Sequence, residues 1–270
     1  MTSDDEDSTG DWIDLAEGVL ARRFAELDLT VGLVLGRERA LVVDVGGDRA
    51  QGAALAGEIA GITGLPREIA FTHGHFDHCF GAEAFGAAAT WAQAGCAEHL
   101  RATGERQRSG WIDHYRAQHR HGIADALART EIRVPERLVG ERAELDLGGR
   151  TARLLHLGAG HTDHDLVVHV PDCGVVFAGD LVEHGAAPDF EDALPAQWPD
   201  TVDELLNLAP TTIVPGHGDP AGPEFVRQQR DELAAVAELR AAHRRGDIGE
   251  AEALRRSPYP AGTTRSALAR

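Results

Sequence analysis

Apolar positions in this chain gather into short runs broken by glycine- and aspartate-bearing segments, the pattern of buried strands closed by turns. The first runs are Val31–Leu35 (VGLVL), Ala40–Val45 (ALVVDV) and Glu68–Phe71 (EIAF). ALVVDV leads into Gly46-Gly47, a strand end followed by a glycine turn. Asp48–Ala60 is alanine-rich and reads as helix, so the opening unit is strand, strand, helix, strand. From about residue 92 to 130 the composition is helical and polar, which predicts two or more helices that interrupt the sheet pattern. Strand signals return between Glu131 and Val176. They are EIRV, a hairpin turning at Gly148-Gly149, then DLVVHV and GVVFA. A helix over Pro199–Leu208 and a short strand over Thr211–Val214 follow. Phe225, Leu233, Val236 and Leu239 recur near i, i+3, i+4 spacing, which predicts a long helix over Pro223–Arg245. A further short helix lies past Gly246. There is no internal repeat and no linker-like shift of composition. Strand-rich halves flanked by helices predict one layered α/β (α+β) domain over residues 12–270, with residues 1–11 a disordered acidic tail.

Composition narrows the chemistry. The 270 residues carry 26 basic and 44 acidic side chains, a net charge of −18, and every basic residue is arginine. Without lysine there is no Schiff-base nucleophile and no phosphate-loop lysine. The acidic balance opposes general binding to nucleic acid. No apolar run approaches the roughly 18–20 residues of a membrane span. The polar, acidic start lacks the features of a secretory signal, so a cytoplasmic protein is expected, with no membrane or nucleic-acid partner. Cys79, Cys96 and Cys173 are widely spaced and form no paired framework, which fits reduced thiols.

Histidine is abundant, with 14 copies, and five of them lie where strands are predicted to end. Thr72-His73-Gly74-His75-Phe76-Asp77-His78 follows EIAF, and Gly160-His161-Thr162 follows the second hairpin strand. Ala178-Gly179-Asp180 ends GVVFA, and Pro215-Gly216-His217-Gly218 follows TTIV. Imidazole and carboxylate donors suit Zn²⁺, Mn²⁺ or Fe²⁺. His73, His75, Asp77, His78, His161, Asp180 and His217 exceed the three or four ligands that one zinc ion takes, so two divalent metals sharing a carboxylate are expected. In an extended stretch His73, His75 and Asp77 point one way, and His78 needs a turn to join them.

In these motifs the sequence resembles the metallo-β-lactamase fold superfamily. The resemblance covers nearly the whole chain and implies a four-layer αββα sandwich with a two-metal site on one edge. It implies that His73, His75 and His161 hold one metal and that Asp77, His78 and His217 hold the other. Asp180 would bridge the two, and Asp44 would support the ligands from behind. Asp180 resembles the glyoxalase II and lactonase-like branches, because true zinc β-lactamases usually have cysteine or a non-ligand there. The implied function is a dinuclear hydrolase, most simply with zinc, in which a bridging hydroxide attacks a small thioester, lactone or amide. Asp77 and Asp180 are its catalytic carboxylates. The alternatives are an iron-dependent sulfur dioxygenase of the same fold and a non-catalytic metal-binding protein. The expected partner is a small-molecule substrate, with a homodimer as the assembly to test.

Other positions carry weaker signals. Cys79 reads as a packed thiol, and His164 has no assigned role. His99, His114, His119 and His121 read as a solvated helix face. Trp198 reads as core, while Trp111, Tyr115, Trp198 and Phe190 are the aromatics available to a pocket mouth.

Overall fold

The protein is described by a computed structural model over residues 12–270; the tail expected at residues 1–11 lies outside the described residues. Its first sheet runs β1 (Ile13–Ala16), β2 (Val19–Arg23), β3 (Thr30–Leu35), β4 (Ala40–Val43), β5 (Arg67–Ala70), β6 (Ala89–Gln93) and β7 (Arg137–Val139). The strands lie side by side in that same order. Pairing is antiparallel from β1 to β4 and parallel from β4 to β7. Parallel neighbours need crossovers, and helices supply them. α1 (Arg49–Ile62) joins β4 to β5, and its N-terminus is capped by Asp48, whose side chain accepts from the N–H groups of Ala50 and Gln51. α2 is the single turn Phe76–Cys79 after β5. α3 (Ala94–Ala117) and α4 (His121–Ala128) join β6 to β7.

The second sheet holds β8 (Arg142–Asp146), β9 (Thr151–Leu155), β10 (Val167–Val170), β11 (Val175–Glu183) and β12 (Thr212–His217), in the order β12-β11-β10-β9-β8. Only β11 and β12 pair in parallel. α5 (Trp198–Asn207), α6 (Pro223–Arg244), α7 (Glu250–Arg256) and α8 (Ala261–Ala269) complete the chain.

Three apolar clusters separate four layers. Ala40 and Val42 face outward with Leu55 and Ile59 of α1 and Leu100 of α3. Leu41 and Val43 face inward, toward Leu154, Val168 and Phe177 of the second sheet. Val176 and Ile213 face Leu205, Leu233 and Val236 of α5 and α6. The continuous apolar runs follow from this, because a strand with helices on one side and a sheet on the other has no wet face. At Gly32 the sheets approach closely, and a Cβ there would stand 2.2 Å from the Phe177 ring. The αββα sandwich is the fold expected from the sequence.

Several local expectations change. Residues 131–135, including EIRV, are not a strand; the pairing segment is β7, which begins at Arg137, and Arg133 instead donates to the carbonyls of Gly86 and Ala88. The helices expected over about 92–130 are α3 and α4, and they form the crossover between two parallel strands. Ala92, at their expected start, lies within β6. β1 and β2 are short and do not read as apolar runs, since β1 carries Asp14 and β2 ends in Arg22 and Arg23. Two helices rather than one follow Gly246.

Candidate metal centre

The strand ends converge on one edge. His73 to His78 follow β5, His161 lies in the β9–β10 connection, Asp180 is in β11 and His217 ends β12. The chain bends at Thr72–Gly74 and is extended again at His75, where α2 begins, so His73 and His75 flank a bend while Asp77 and His78 come from a helical turn. That turn brings His78 to the side its neighbours face. All seven expected residues meet there. Their ligand atoms fall into one group of His73, His75, His161 and Asp180 and another of Asp77, His78 and His217.

Each imidazole is tied by one nitrogen and leaves the other toward the centre. Nδ1 of His78 donates to the Asp44 carboxylate at 2.8 Å. Nδ1 of His161 donates to the carbonyl of Asp189 at 3.2 Å, and Nδ1 of His217 to that of Leu27 at 2.7 Å. Nδ1 of His73 lies 3.1 Å from the Thr72 hydroxyl, which itself donates to Asp44 at 2.8 Å and so accepts from the ring. His75 is turned the other way, with Nε2 donating to Asp192 at 3.2 Å. Carbonyl and carboxylate acceptors fix the proton on the outer nitrogen, so in the neutral rings the inner nitrogen carries a lone pair.

The inner atoms crowd together. Nε2 of His161 lies 3.0 Å from Nδ1 of His75, and Nε2 of His78 lies 3.4 Å from Nε2 of His217. The Asp180 carboxylate stands between the groups, with Oδ1 3.2 Å from His78 and Oδ2 3.3, 3.5 and 3.7 Å from His217, His161 and His73. Asp77 Oδ2 lies 3.4 Å from His217. A Cβ at Gly216 would fall 1.8 Å from Asp180 Oδ1, so glycine there is what admits the carboxylate. His73 Nε2 and Asp180 Oδ1 are buried with no hydrogen-bond partner. Facing lone pairs at hydrogen-bond distance and orphaned inner donors are what divalent cations would satisfy, so the residues fit the metals implied by the sequence.

The electrostatics agree. Burial holds the pKa of His73 well below its ordinary value and lowers that of His161 to about 3, which keeps both rings in the neutral, ligating form. Burial also opposes protonation of His217, but Asp180 and then Asp77 overcome it and raise its pKa to about 10. The carboxylates thus call for positive charge at that corner, from a proton or from a cation.

A supporting layer was only partly legible. Asp44, expected behind the ligands, accepts from the Thr72 N–H and hydroxyl and from His78, each at 2.8 Å, and sits at φ 60° to do so. His164 gains a role: its Nε2 accepts the N–H of Gly74 at 3.2 Å while Nδ1 donates to Asp163 at 2.7 Å. It clamps the peptide between His73 and His75. His99 is not on a solvated face, since its ring packs 4.9 Å from that of His164. Gln107 donates to the Gly74 carbonyl at 3.0 Å. Cys79 is a packed thiol that donates to the His75 carbonyl. Asp192, which orients His75, is itself held at 3.0 Å by Arg270. No motif marks that pair, because its partners come together only in the folded chain. Trp198 and Phe190 are core, with the Trp198 indole donating to the Leu181 carbonyl. Trp111 is the aromatic that reaches the cavity of about 310 Å³ over the cluster, stacked 4.3 Å from Phe76.

Comparison with known proteins places this arrangement. The sequence profile described as "Metallo-beta-lactamase superfamily" matches residues 27–217. A "Metallo-beta-lactamase type 2" of Bacteroides fragilis is 29% identical over 102 residues, which is 36% of this chain and 41% of that protein. A "Hydroxyacylglutathione hydrolase" of Erythrobacter litoralis is 26% identical over 115 residues, 38% of this chain and 45% of that one. The chain thus spans less than half the length of these relatives. Among solved structures, "Metallo-beta-lactamase from Pontibacter korlensis" superposes with a TM-score of 0.67 at 17% identity, over 83% of this chain and 98% of that one.

Proposed function

The chain belongs to the metallo-β-lactamase superfamily, and on that premise we propose that it is a dinuclear metal-dependent hydrolase of small ester-like bonds: thioesters, lactones or amides. One observation carries the reading. Seven inward donors divide into two sets, and the Asp180 carboxylate stands between them. His73, His75 and His161 would hold one cation, Asp77, His78 and His217 the other, with Asp180 shared. Zinc is the first choice, with manganese or iron compatible with the same donors. Two such cations would lower the pKa of bound water toward 7 and polarise a substrate carbonyl.

The chain's own residues supply the rest. Asp44, Thr72, Asp192 and the carbonyls of Leu27 and Asp189 hold each ring at a fixed angle and tautomer, so binding requires little rearrangement. Asp77 lines the cavity with a carboxylate oxygen and is placed to take a proton from water there. Trp111, Phe76 and Leu27 give the cavity an apolar wall that limits its hydration. An aspartate at 180 favours the glyoxalase II and lactonase-like branch over the β-lactamases, in keeping with the relative named hydroxyacylglutathione hydrolase. A cytoplasmic setting belongs to the same reading and agrees with three free cysteines. Among the described residues no helix is long and apolar enough to cross a membrane.

Elemental analysis of the purified chain, with a panel of thioesters, lactones, amides and phosphodiesters, tests the proposal. Two zinc or manganese ions per chain and chelator-sensitive hydrolysis are expected. A single iron with oxygen uptake would favour the dioxygenase alternative, and full turnover by metal-free protein would overturn the scheme.

A further inference from the structure

The buried stripe of α6 carries one residue out of keeping with the rest. Val226, Leu233 and Val236 pack into the core between α6 and the second sheet, and Gln229 shares their side of the helix at 5% exposure. Its Oε1 and its Nε2 are both buried, and neither has a hydrogen-bond partner among the described residues. Leaving a carboxamide so is strongly unfavourable, and an apolar side chain of the same length would avoid the cost. A polar group that breaks the pattern of an otherwise consistent helix points to a use for it.

The surroundings of Gln229 supply that use. It lines a pocket of about 130 Å³ together with Glu183 and Ala186, at the end of β11 and in the loop after it, Phe225 and Glu232 of α6, and Tyr259 just before α8. The Tyr259 hydroxyl is also buried and, although beside Glu232, makes no hydrogen bond with it. Glu232 is held instead by the Gln228 amide at 3.0 Å, and Glu183 accepts the N–H of Asp189 at 3.1 Å. The pocket meets the cavity over the ligand cluster at Glu183 and Ala186, which line both. Phe225, Gln229, Glu232 and Tyr259 all lie beyond residue 217, where the matched family profile ends.

The unpaired atoms dictate what fits. Gln229 presents a donor and an acceptor side by side. Their complement is a planar neutral group with the same pair, a primary carboxamide or a urea, which closes two parallel hydrogen bonds. A carboxylate has no donor for Oε1 and meets the charge of Glu232. An ammonium or amidinium has no acceptor for Nε2. The volume, roughly four times the share of one water in the liquid, admits a group the size of propionamide. Phe225 and Ala186 offer its alkyl end an apolar wall.

We propose that this pocket is a binding site for a small neutral group bearing a primary carboxamide or urea, paired with both amide atoms of Gln229 and with the Tyr259 hydroxyl as a third partner. The assignment stands on the pocket's own residues and is independent of the hydrolase reading.

Propionamide, propionate and propionamidinium share one shape and differ in charge, and they test the site on the zinc-loaded full chain by NMR, read at the Gln229 side-chain amide. Propionamide is expected to shift that resonance saturably, with the two ions at least tenfold weaker. Gln229→Met keeps the length and removes both polar atoms. It should weaken propionamide at least tenfold, measured by saturation transfer, while its Tm without ligand equals or exceeds that of the wild type. Tyr259→Phe leaves Gln229 in place and should weaken propionamide severalfold. No saturable shift, or equal affinity for all three probes, overturns the site. A clearly lower Tm in Gln229→Met with propionamide binding retained overturns it as well, because the carboxamide would then be structural. Two esters tell where the group comes from. If 4-nitrophenyl 5-carbamoylpentanoate shows a lower KM than 4-nitrophenyl heptanoate and Gln229→Met erases the difference, the carboxamide is the substrate's own tail. Equal KM values beside intact propionamide binding make the ligand a separate molecule.

Discussion

The carboxylate of Asp44 accepts a hydrogen bond from Nδ1 of His78 at 2.8 Å, and both side chains are buried. The same carboxylate holds Thr72, whose hydroxyl accepts from His73, so one residue at the end of β4 orients rings in both ligand groups. Asp44 adopts φ 60°, a left-handed conformation that asparagine tolerates nearly as well. Asp44→Asn should therefore fold and yet bind metal about 10–100-fold more weakly, because the amide is a poorer acceptor for His78. Competition with a chromophoric chelator measures this. Unchanged affinity would mean that Asp44 serves the backbone alone.

Metal should also stabilise the fold. Cations that bind the assembled cluster and not the unfolded chain add about 4 kcal/mol at 1,000 times Kd. For a chain of this size that corresponds to a rise in Tm of about 10 °C. Thermal unfolding with chelator and with added zinc should differ by that order, and His75→Ala or Asp180→Ala should abolish most of the difference. Equal transitions with and without zinc would count against a preformed centre.

His164 predicts a pH effect separable from metal. Burial, partly offset by Asp163, lowers its pKa from 6.5 to about 4. Between those values the unfolded chain binds a proton that the folded chain does not, so stability falls as pH drops from about 6.5 toward 4. The full effect is on the order of 3 kcal/mol. Urea unfolding of metal-free protein at pH 7 and pH 5 should show the loss in the wild type and a smaller one in His164→Gln. An identical pH dependence in the two proteins would assign the effect to other groups.

The contact between the sheets supplies a test of packing. Gly32→Ala would drive a methyl group into the Phe177 ring, which the close-packed interior cannot easily yield, and should destabilise the protein by about 2 kcal/mol or more. Gly32→Ala/Phe177→Leu should lose less than the sum of the single changes, as measured by a denaturant double-mutant cycle. Strict additivity would show that the two residues do not meet in solution.

What the sequence made legible depended on how local each signal was. ALVV and VGLVL announce themselves because helices and a second sheet cover them, leaving no polar alternation to confuse the pattern. The ligands were legible because they are tethered to strand ends within a few residues of one another, as in His73 to His78. β1 and β2 were hidden because Asp14 interrupts the first and Arg22 and Arg23 end the second; Arg22 is buried against Glu58, a partner 36 positions away. EIRV has strand composition but no neighbour to pair with. His164, His99 and Asp192 act through Gly74 and His75, and those contacts exist only once distant loops have been brought to the same edge.

The ligand cluster draws on both sheets: His73 to His78 from the first, and His161, Asp180 and His217 from the second. Elsewhere the sheets are held by apolar packing and, at the far turns, by backbone hydrogen bonds such as those of Arg37 and Glu38 to the Gly148 and Leu147 carbonyls. A pair of ions coordinated at this edge, as proposed, would act as a rivet through two plates. Shear between the halves would then load the ion–ligand bonds first, so metal loss and mechanical separation of the sheets would become one event. A centre proposed for chemistry would thereby also be a fastener of the sandwich.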